Sequence, residues 1–157
     1  MKYLPHTEAP TRRQLVSGVA GLALVIVLRP ATAATADLDL ALDKYAAGAR
    51  ITAGKVKLAI AELVDNGNVV PVTVTVDSPM TAANHVKSIA IFNEKNPQRD
   101  VARFALGPRA GKASVTTRIR LATSQKLVAV ARMSDDTYWS HSVDVIVTLA
   151  ACIEGEA

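Results

Sequence analysis

The chain has 157 residues and a formal net charge of +4, and half of its residues are hydrophobic. This length suits one domain with one core. From Asp37 onward, fourteen Lys and Arg residues stand against thirteen Asp and Glu residues, so the net charge of that part is only +1. The sequence contains no basic stripe with interleaved aromatic residues, which argues against a nucleic-acid-binding protein.

The amino-terminal segment has the features of an export signal. Arg12 and Arg13 precede an apolar run over 16–28, which is shorter than the roughly 20 apolar residues of a membrane span. Small residues at 31–36 follow the run and offer two cleavage sites. Residues 1–36 are therefore predicted to be a twin-arginine signal peptide that directs the protein to the periplasm. No stable membrane insertion is expected after cleavage; a retained anchor is the less favoured alternative.

Residues 37–53 are predicted to be an amino-terminal helical segment of the exported protein. Leu38, Leu42 and Tyr45 recur at i, i+4 and i+7, the spacing of one apolar helix face. The predicted helix runs over 37–47. A helix of this length needs packing against the rest of the protein to persist.

Beyond Gly54 the apolar residues alternate with polar ones, as in half-buried strands. Turn-forming residues separate the runs, among them 65–68 and 135–136. Seven strands are predicted, over 55–60, 70–76, 86–92, 101–106, 114–121, 126–133 and 138–149. Seven short strands at this spacing predict an all-β protein, an antiparallel β-sandwich over 54–149.

Cys152 is the only cysteine and lies in the segment 150–157, beyond the last predicted strand. In an exported protein a lone cysteine is either an intermolecular disulfide partner or a free thiol. Residues near a chain end can move, so we interpret 150–157 as a swinging tail that holds a group covalently on sulfur. A buried apolar role for Cys152 is one alternative. Another is a non-catalytic binding or structural domain that dimerises through a Cys152 disulfide.

The remaining reactive side chains do not form a recognisable catalytic or metal site. His85 and His141 lack a second ligand at metal-binding spacing, and the serines and carboxylates match no nucleophile triad. Phe104 and Trp139 are expected to be core residues rather than stacking platforms. We therefore predict no catalytic residue, no metal and no cofactor, and a small enzyme is the least favoured function.

Several segments together resemble a known family, SoxY, from about Gly54 to Cys152. The predicted export signal and the cysteine near the carboxyl end also fit that family. The segments that resemble it are 66–72, 77–80, 89–92, 96–97, 117–122, 125, 129–131, 133–135 and 139.

The resemblance implies an immunoglobulin-like sandwich that forms a heterodimer with a SoxZ-like subunit. It also implies that sulfur-oxidation intermediates are attached covalently to Cys152. In that cycle a thiosulfate-coupling haem enzyme would load the thiol and a sulfate-releasing hydrolase would act next. A molybdenum enzyme would then oxidise the remaining sulfur. The protein itself would be a carrier rather than an enzyme.

The tail departs from the family pattern, which places two glycines on each side of the cysteine. Here Ala150 and Ala151 precede it, Ile153 and Glu154 follow, and Gly155 comes only later. Glycine makes a thin, flexible backbone, whereas these residues are bulkier. The glutamate also disfavours a thiolate and repels anionic thiosulfate. The pattern suggests a divergent paralogue that exchanges less readily with the usual enzymes.

Overall fold

A computed structural model describes residues 30–149 of the chain. The described part begins with one helix and continues with nine strands and a short 3-10 turn. Among these residues, no helix combines the length and apolar character that crossing a membrane requires. The elements are α1 (Pro30–Ala46), β1 (Ile51–Ala53), β2 (Val56–Ala59), β3 (Leu63–Asn66), β4 (Val70–Val76), β5 (Val86–Asn93), β6 (Asp100–Ala105), the 3-10 turn (Pro108–Ala110), β7 (Ser114–Ile119), β8 (Gln125–Met133) and β9 (Tyr138–Leu149).

The strands form two facing sheets, and the predicted immunoglobulin-like sandwich is confirmed. The larger sheet has the order β1-β9-β8-β5-β6, with β3 also pairing with β9, and the smaller sheet has the order β2-β4-β7. Neighbouring strands are antiparallel, except that β1 and β3 run parallel to β9. Both short strands pair with β9, β1 at its beginning and β3 at its end. Between them, the chain crosses to the smaller sheet as β2.

The main core lies between the two sheets and is built from the inward-facing residues of both. In β4, Val70, Val72, Val74 and Val76 are buried while the intervening positions are more exposed. This alternation follows from the two-residue repeat of side chains along a strand. The larger sheet contributes buried residues from β5, β8 and β9, which are Ile89, Ile91, Leu127, Ala129, Ala131, Met133, Val145 and Val147.

A second apolar cluster lies between α1 and the outer face of the larger sheet. Leu38 of the helix packs in one cluster with Phe92 and Tyr138, and Tyr45 packs against that cluster. The Tyr45 ring meets the Phe92 ring edge-on at 5.5 Å, and its hydroxyl lies 2.8 Å from Ser88 Oγ. Burial raises the pKa of the Tyr45 phenol above its ordinary value. Because α1 covers this face, β5 and β8 are buried on both sides.

The structure corrects the predicted elements in three places. The helix begins at Pro30 rather than residue 37 and ends at Ala46. Residues Ile51–Ala53, assigned to the helical segment, form β1. Asp65 and Asn66, predicted to begin a turn, belong to β3. The sequence missed β1 and β3 because three- and four-residue strands are too short to show a period. The seven predicted strands are present, two with the predicted ends and five with ends shifted by one or two residues.

The turn between β8 and β9 is confirmed at Asp135 and Asp136. Asp136 has a φ of 62°, in the left-handed region that Asp tolerates better than most residues. Its Oδ1 atom lies 2.8 Å from Lys87 Nζ and 2.9 Å from Arg132 Nε. Hydrogen bonds from Lys87 and Arg132 hold the pKa of the Asp136 carboxyl below its ordinary value. The hairpin is thereby joined to the neighbouring strand β5.

Candidate functional site

The best candidate site is the point where the cysteine-bearing tail leaves the sandwich. Strand β9 ends at Leu149, and Cys152 follows three residues later. The predicted tail residues Ala150, Ala151, Ile153, Glu154 and Gly155 lie with Cys152 outside the described residues, as do Arg12 and Arg13 of the signal. Three residues of extended chain reach only about 10 Å. The thiol therefore stays near the end of the sandwich at which β9 ends. We call this end, at Leu149, the tail base.

The end of β9 is held on both sides. Pairing with β8 extends only to Val145. Beyond that residue, the side chain of Ser124 forms the contact with β9. The Val147 amide donates a hydrogen bond to Ser124 Oγ at 2.9 Å. On the other side β3 pairs with β9 as far as Asn66 and Leu149, and the Ile146 amide donates to the Glu62 carbonyl at 2.7 Å. The chain is thus held in regular structure to within three residues of Cys152.

A polar network joins the two loops beside the tail base. Gln125 is buried, and its Nε2 atom donates to Asn96 Oδ1 at 2.6 Å. The Gln125 Oε1 atom accepts the Lys95 amide at 2.8 Å. The Asn96 Nδ2 atom donates to the Arg120 carbonyl at 2.8 Å. These bonds link the β5–β6 loop to the segment between β7 and β8, so they fix the rigid end from which the tail departs.

Asn93 is a buried polar residue at the same end of the larger sheet. It is 1% exposed, and its side-chain amide has no hydrogen-bond partner among residues 30–149. Asn93 pairs with Leu127 across the sheet. An unpaired buried amide costs about 1–3 kcal/mol, so this end of the core is less stable than a fully apolar one.

Two large apolar side chains are exposed close to the tail base. Leu63 of β3 is 60% exposed and Ile146 of β9 is 59% exposed, and the two are register partners. Helix α1 packs over β5, β8 and the beginning of β9, so it does not cover this pair. The sequence did not reveal the pair because β3 itself was not predicted.

The other residues singled out from the sequence, two histidines and two aromatic residues, make hydrogen bonds or packing contacts within the described part of the chain. The Leu58 amide donates to His141 Nδ1 at 3.2 Å, while His85 Nδ1 lies 3.1 Å from the Thr81 carbonyl oxygen. Phe104 and Trp139 pack against the main core as partly buried residues. Within residues 30–149, no group of three or more His, Cys, Asp or Glu side chains could hold a metal ion.

The fold and the site define an immunoglobulin-like sandwich whose last strand is held on both sides to within three residues of a lone cysteine. The family model described as sulfur oxidation protein SoxY matches residues 43–152. The match covers most of the chain and ends at the cysteine. The chain therefore belongs to the SoxY family, as its sequence resemblance predicted.

One solved structure supports the same assignment. The sulfur carrier protein SoxY from Chlorobium limicola f thiosulfatophilum is 28% identical, with a TM-score of 0.62 over 73% of this chain and 99% of that one. A superoxide reductase (neelaredoxin) from Ignicoccus hospitalis is 23% identical, with a TM-score of 0.53 over 60% of this chain and 80% of that one. The second likeness shows the fold alone. The comparison with curated proteins found no match.

Proposed function

We propose that this protein carries sulfur-oxidation intermediates covalently on Cys152 and passes them between partner enzymes. The observation that carries the proposal is the family match, which ends at Cys152, three residues beyond the end of β9. The protein supplies the attachment atom and a short arm, and the partner enzymes supply the chemistry.

The proposed loading step joins the cysteine sulfur to the outer sulfur of thiosulfate. The thiol loses its proton, a sulfur–sulfur bond forms, and two electrons pass to a haem-containing enzyme. The product is a cysteine S-thiosulfonate. A hydrolase then uses one water to release sulfate and a proton, and leaves a persulfide on Cys152. The nucleophile in loading is the thiolate, so the charge near the tail affects this step.

Intact mass of the purified mature protein, with and without reductant, tests this proposal. We expect adducts of whole sulfur atoms or of thiosulfate, all removed by reductant. A mass corresponding only to a disulfide-linked dimer would instead support a structural domain that dimerises through Cys152. An unmodified monomer after exposure to thiosulfate and the loading enzyme would contradict the carrier function.

We propose that export by the twin-arginine route places the protein in the periplasm. Arg12 and Arg13, followed by an apolar run and small residues, support the proposal. Replacing both arginines by lysine is expected to leave unprocessed precursor in the cytoplasm, measured by fractionation and mass. Replacing Arg29, which follows the apolar run, by lysine is the matched control and should not affect export. Normal maturation of the double variant would contradict this route.

We propose that the exposed pair Leu63 and Ile146 contacts a SoxZ-like partner subunit. The pair lies on the outer side of β9 next to the tail base, where a subunit would also stay close to the thiol. Both side chains are more than half exposed, so burying them against an apolar partner surface would stabilise a complex.

The variant Leu63→Thr with Ile146→Thr tests this contact. We expect association with a co-expressed SoxZ-like subunit to weaken on the order of tenfold or more, because two apolar contacts are lost. Calorimetric titration measures the affinity. Leu40, on α1 and 68% exposed, offers a control: Leu40→Gln should bind normally. Equal binding by all three proteins would place the interface elsewhere, and a monomer that ignores the partner would contradict the heterodimer.

A further inference from the structure

A cationic cleft lies at the end of the smaller sheet where β2 and β7 begin and β4 ends. Its volume is about 550 Å³. It is lined by three lysines and by hydroxyl groups, and Asp77 is its only carboxylate residue. The lining side chains with an ammonium or a hydroxyl group are Lys55, Lys57, Lys112, Thr75, Ser78 and Ser114.

The cleft is built by regular strand pairing. Lys57 pairs with Thr75 across β2 and β4, and Thr75 pairs with Ser114 across β4 and β7. The hydroxyls of Thr75 and Ser114 lie 3.3 Å apart. The row therefore presents one ammonium group and two hydroxyls on the same outer face of the sheet.

Lys55 is held at the cleft by its backbone and its side chain. It has a φ of 53°, and its carbonyl accepts the Asp77 amide at 2.7 Å. Its ammonium group lies 4.5 Å from the centre of the Trp139 ring, a cation–π contact. The position of this charge is therefore better defined than that of a free surface lysine.

The positive charge at the cleft is only partly offset within residues 30–149, because Asp77 lines the cleft and Lys55 interacts electrostatically with Asp135. None of Lys55, Lys57 and Lys112 forms an ion pair with a carboxylate of the described chain. The outer face of the smaller sheet next to the cleft also has Arg118 and no carboxylate; its other positions are Thr, Ser, Ala and Pro. Within residues 30–149 no helix covers this face, whereas α1 covers the larger sheet.

The cleft is too far from the tail base to receive a group held on Cys152 of the same molecule. Lys55 lies over Trp139, and β9 continues from there through ten more residues to Leu149. Ten strand residues span about 33 Å, whereas Cys152 reaches only about 10 Å beyond Leu149. An anionic group held on Cys152 of the same molecule therefore does not reach the cleft.

We propose that this cleft and the adjoining face of the smaller sheet bind an acidic surface patch of a second protein, with a carboxylate side chain inserted between the lysines. The open cleft is much larger than a single small anion needs. The face beside it has exposed polar and basic positions and no carboxylate, which suits a macromolecular partner whose charge is complementary. This inference is independent of the proposed sulfur chemistry and would hold for an unloaded protein.

Titration of the full mature protein with hexaglutamate tests the proposal, with hexaglutamine as the neutral control. Amide NMR shifts should concentrate at residues 55–57, 75–78 and 111–114, and affinity should fall as NaCl is raised. The variant Lys57→Gln with Lys112→Gln should bind on the order of tenfold more weakly. Lys44→Gln with Lys126→Gln removes the same charge elsewhere and should bind like the unchanged protein.

Three outcomes would overturn the proposal. Equal weakening in the two double variants would show that only net charge matters. Shifts spread over the whole surface would show that the cleft is not a site. Sulfate that saturates the same residues and fully displaces hexaglutamate at equal ionic strength would show a small-anion site only. Lys55 is left unchanged in these variants because it packs on Trp139.

Discussion

Replacing Cys152 by serine is expected to abolish sulfur loading completely while the fold and partner binding remain intact. A serine hydroxyl cannot form the sulfur–sulfur bond that loading requires. The residue lies beyond the end of β9, and substitutions away from the core usually change stability by less than about 0.5 kcal/mol. Incubation with thiosulfate and the loading enzyme, followed by intact mass, measures the loss. Urea unfolding measures stability.

Alkylation of the native protein provides an independent measurement. We expect iodoacetamide to modify Cys152 without denaturant, because terminal residues are accessible unless something holds them. A thiol that reacts only after unfolding would contradict the swinging tail. Persistent loading of the serine variant would show that sulfur is attached elsewhere.

The composition of the tail should set how well the protein is loaded. Replacing Ile153 and Glu154 by glycine removes two bulky side chains from the tail and one negative charge close to the thiol. We expect faster loading of this variant by an enzyme that serves a glycine-rich tail. Glu156→Gly, which changes the charge further from the cysteine, is the control and should have a smaller effect. Equal rates for all three proteins would show that the departure from the family pattern has no effect on loading.

Replacing Phe92 by alanine should destabilise the protein by about 3–5 kcal/mol, the usual cost of removing a large buried aromatic side chain. Phe92 is fully buried and contacts Tyr45 of α1 edge-on. Its loss opens a cavity in the cluster that attaches the helix to the sheet. Urea unfolding followed by Trp139 fluorescence measures the change, and proteolysis near Tyr45 reports release of the helix.

Leu40→Ala is the matched control for this experiment. Leu40 lies on the same helix but is 68% exposed, so its truncation should change the free energy of unfolding by less than about 0.5 kcal/mol. If Phe92→Ala lowered the free energy of unfolding as little as Leu40→Ala, α1 would contribute little through the Phe92 cluster. The helix would then be dispensable for the sandwich.

Long strands with one buried face were predictable because their side chains alternate with a period of two. Strand β4 shows this most clearly, with four valines facing the core and Pro71, Thr73 and Thr75 facing outward. Strand β5 was also found, although α1 buries its outer face. The four apolar residues at 89–92 still indicate a strand, because short continuous apolar runs are typical of buried strands. The apolar face of α1 was found from the i, i+4 and i+7 spacing of Leu38, Leu42 and Tyr45, which matches the 3.6-residue period of a helix.

The sequence by itself determined the sandwich through its local periodicity, and the family through the joint resemblance of several segments. It also singled out Cys152, on which the proposed function rests, as the only cysteine. Only the tertiary structure showed that β3 holds the end of β9, that Leu63 and Ile146 are adjacent, and that three lysines line one cleft. Lys55 and Lys112 are far apart in the chain and meet at one cleft. No local sequence pattern predicts that two such distant residues lie close together, because their proximity depends on the order and register in which the strands pair.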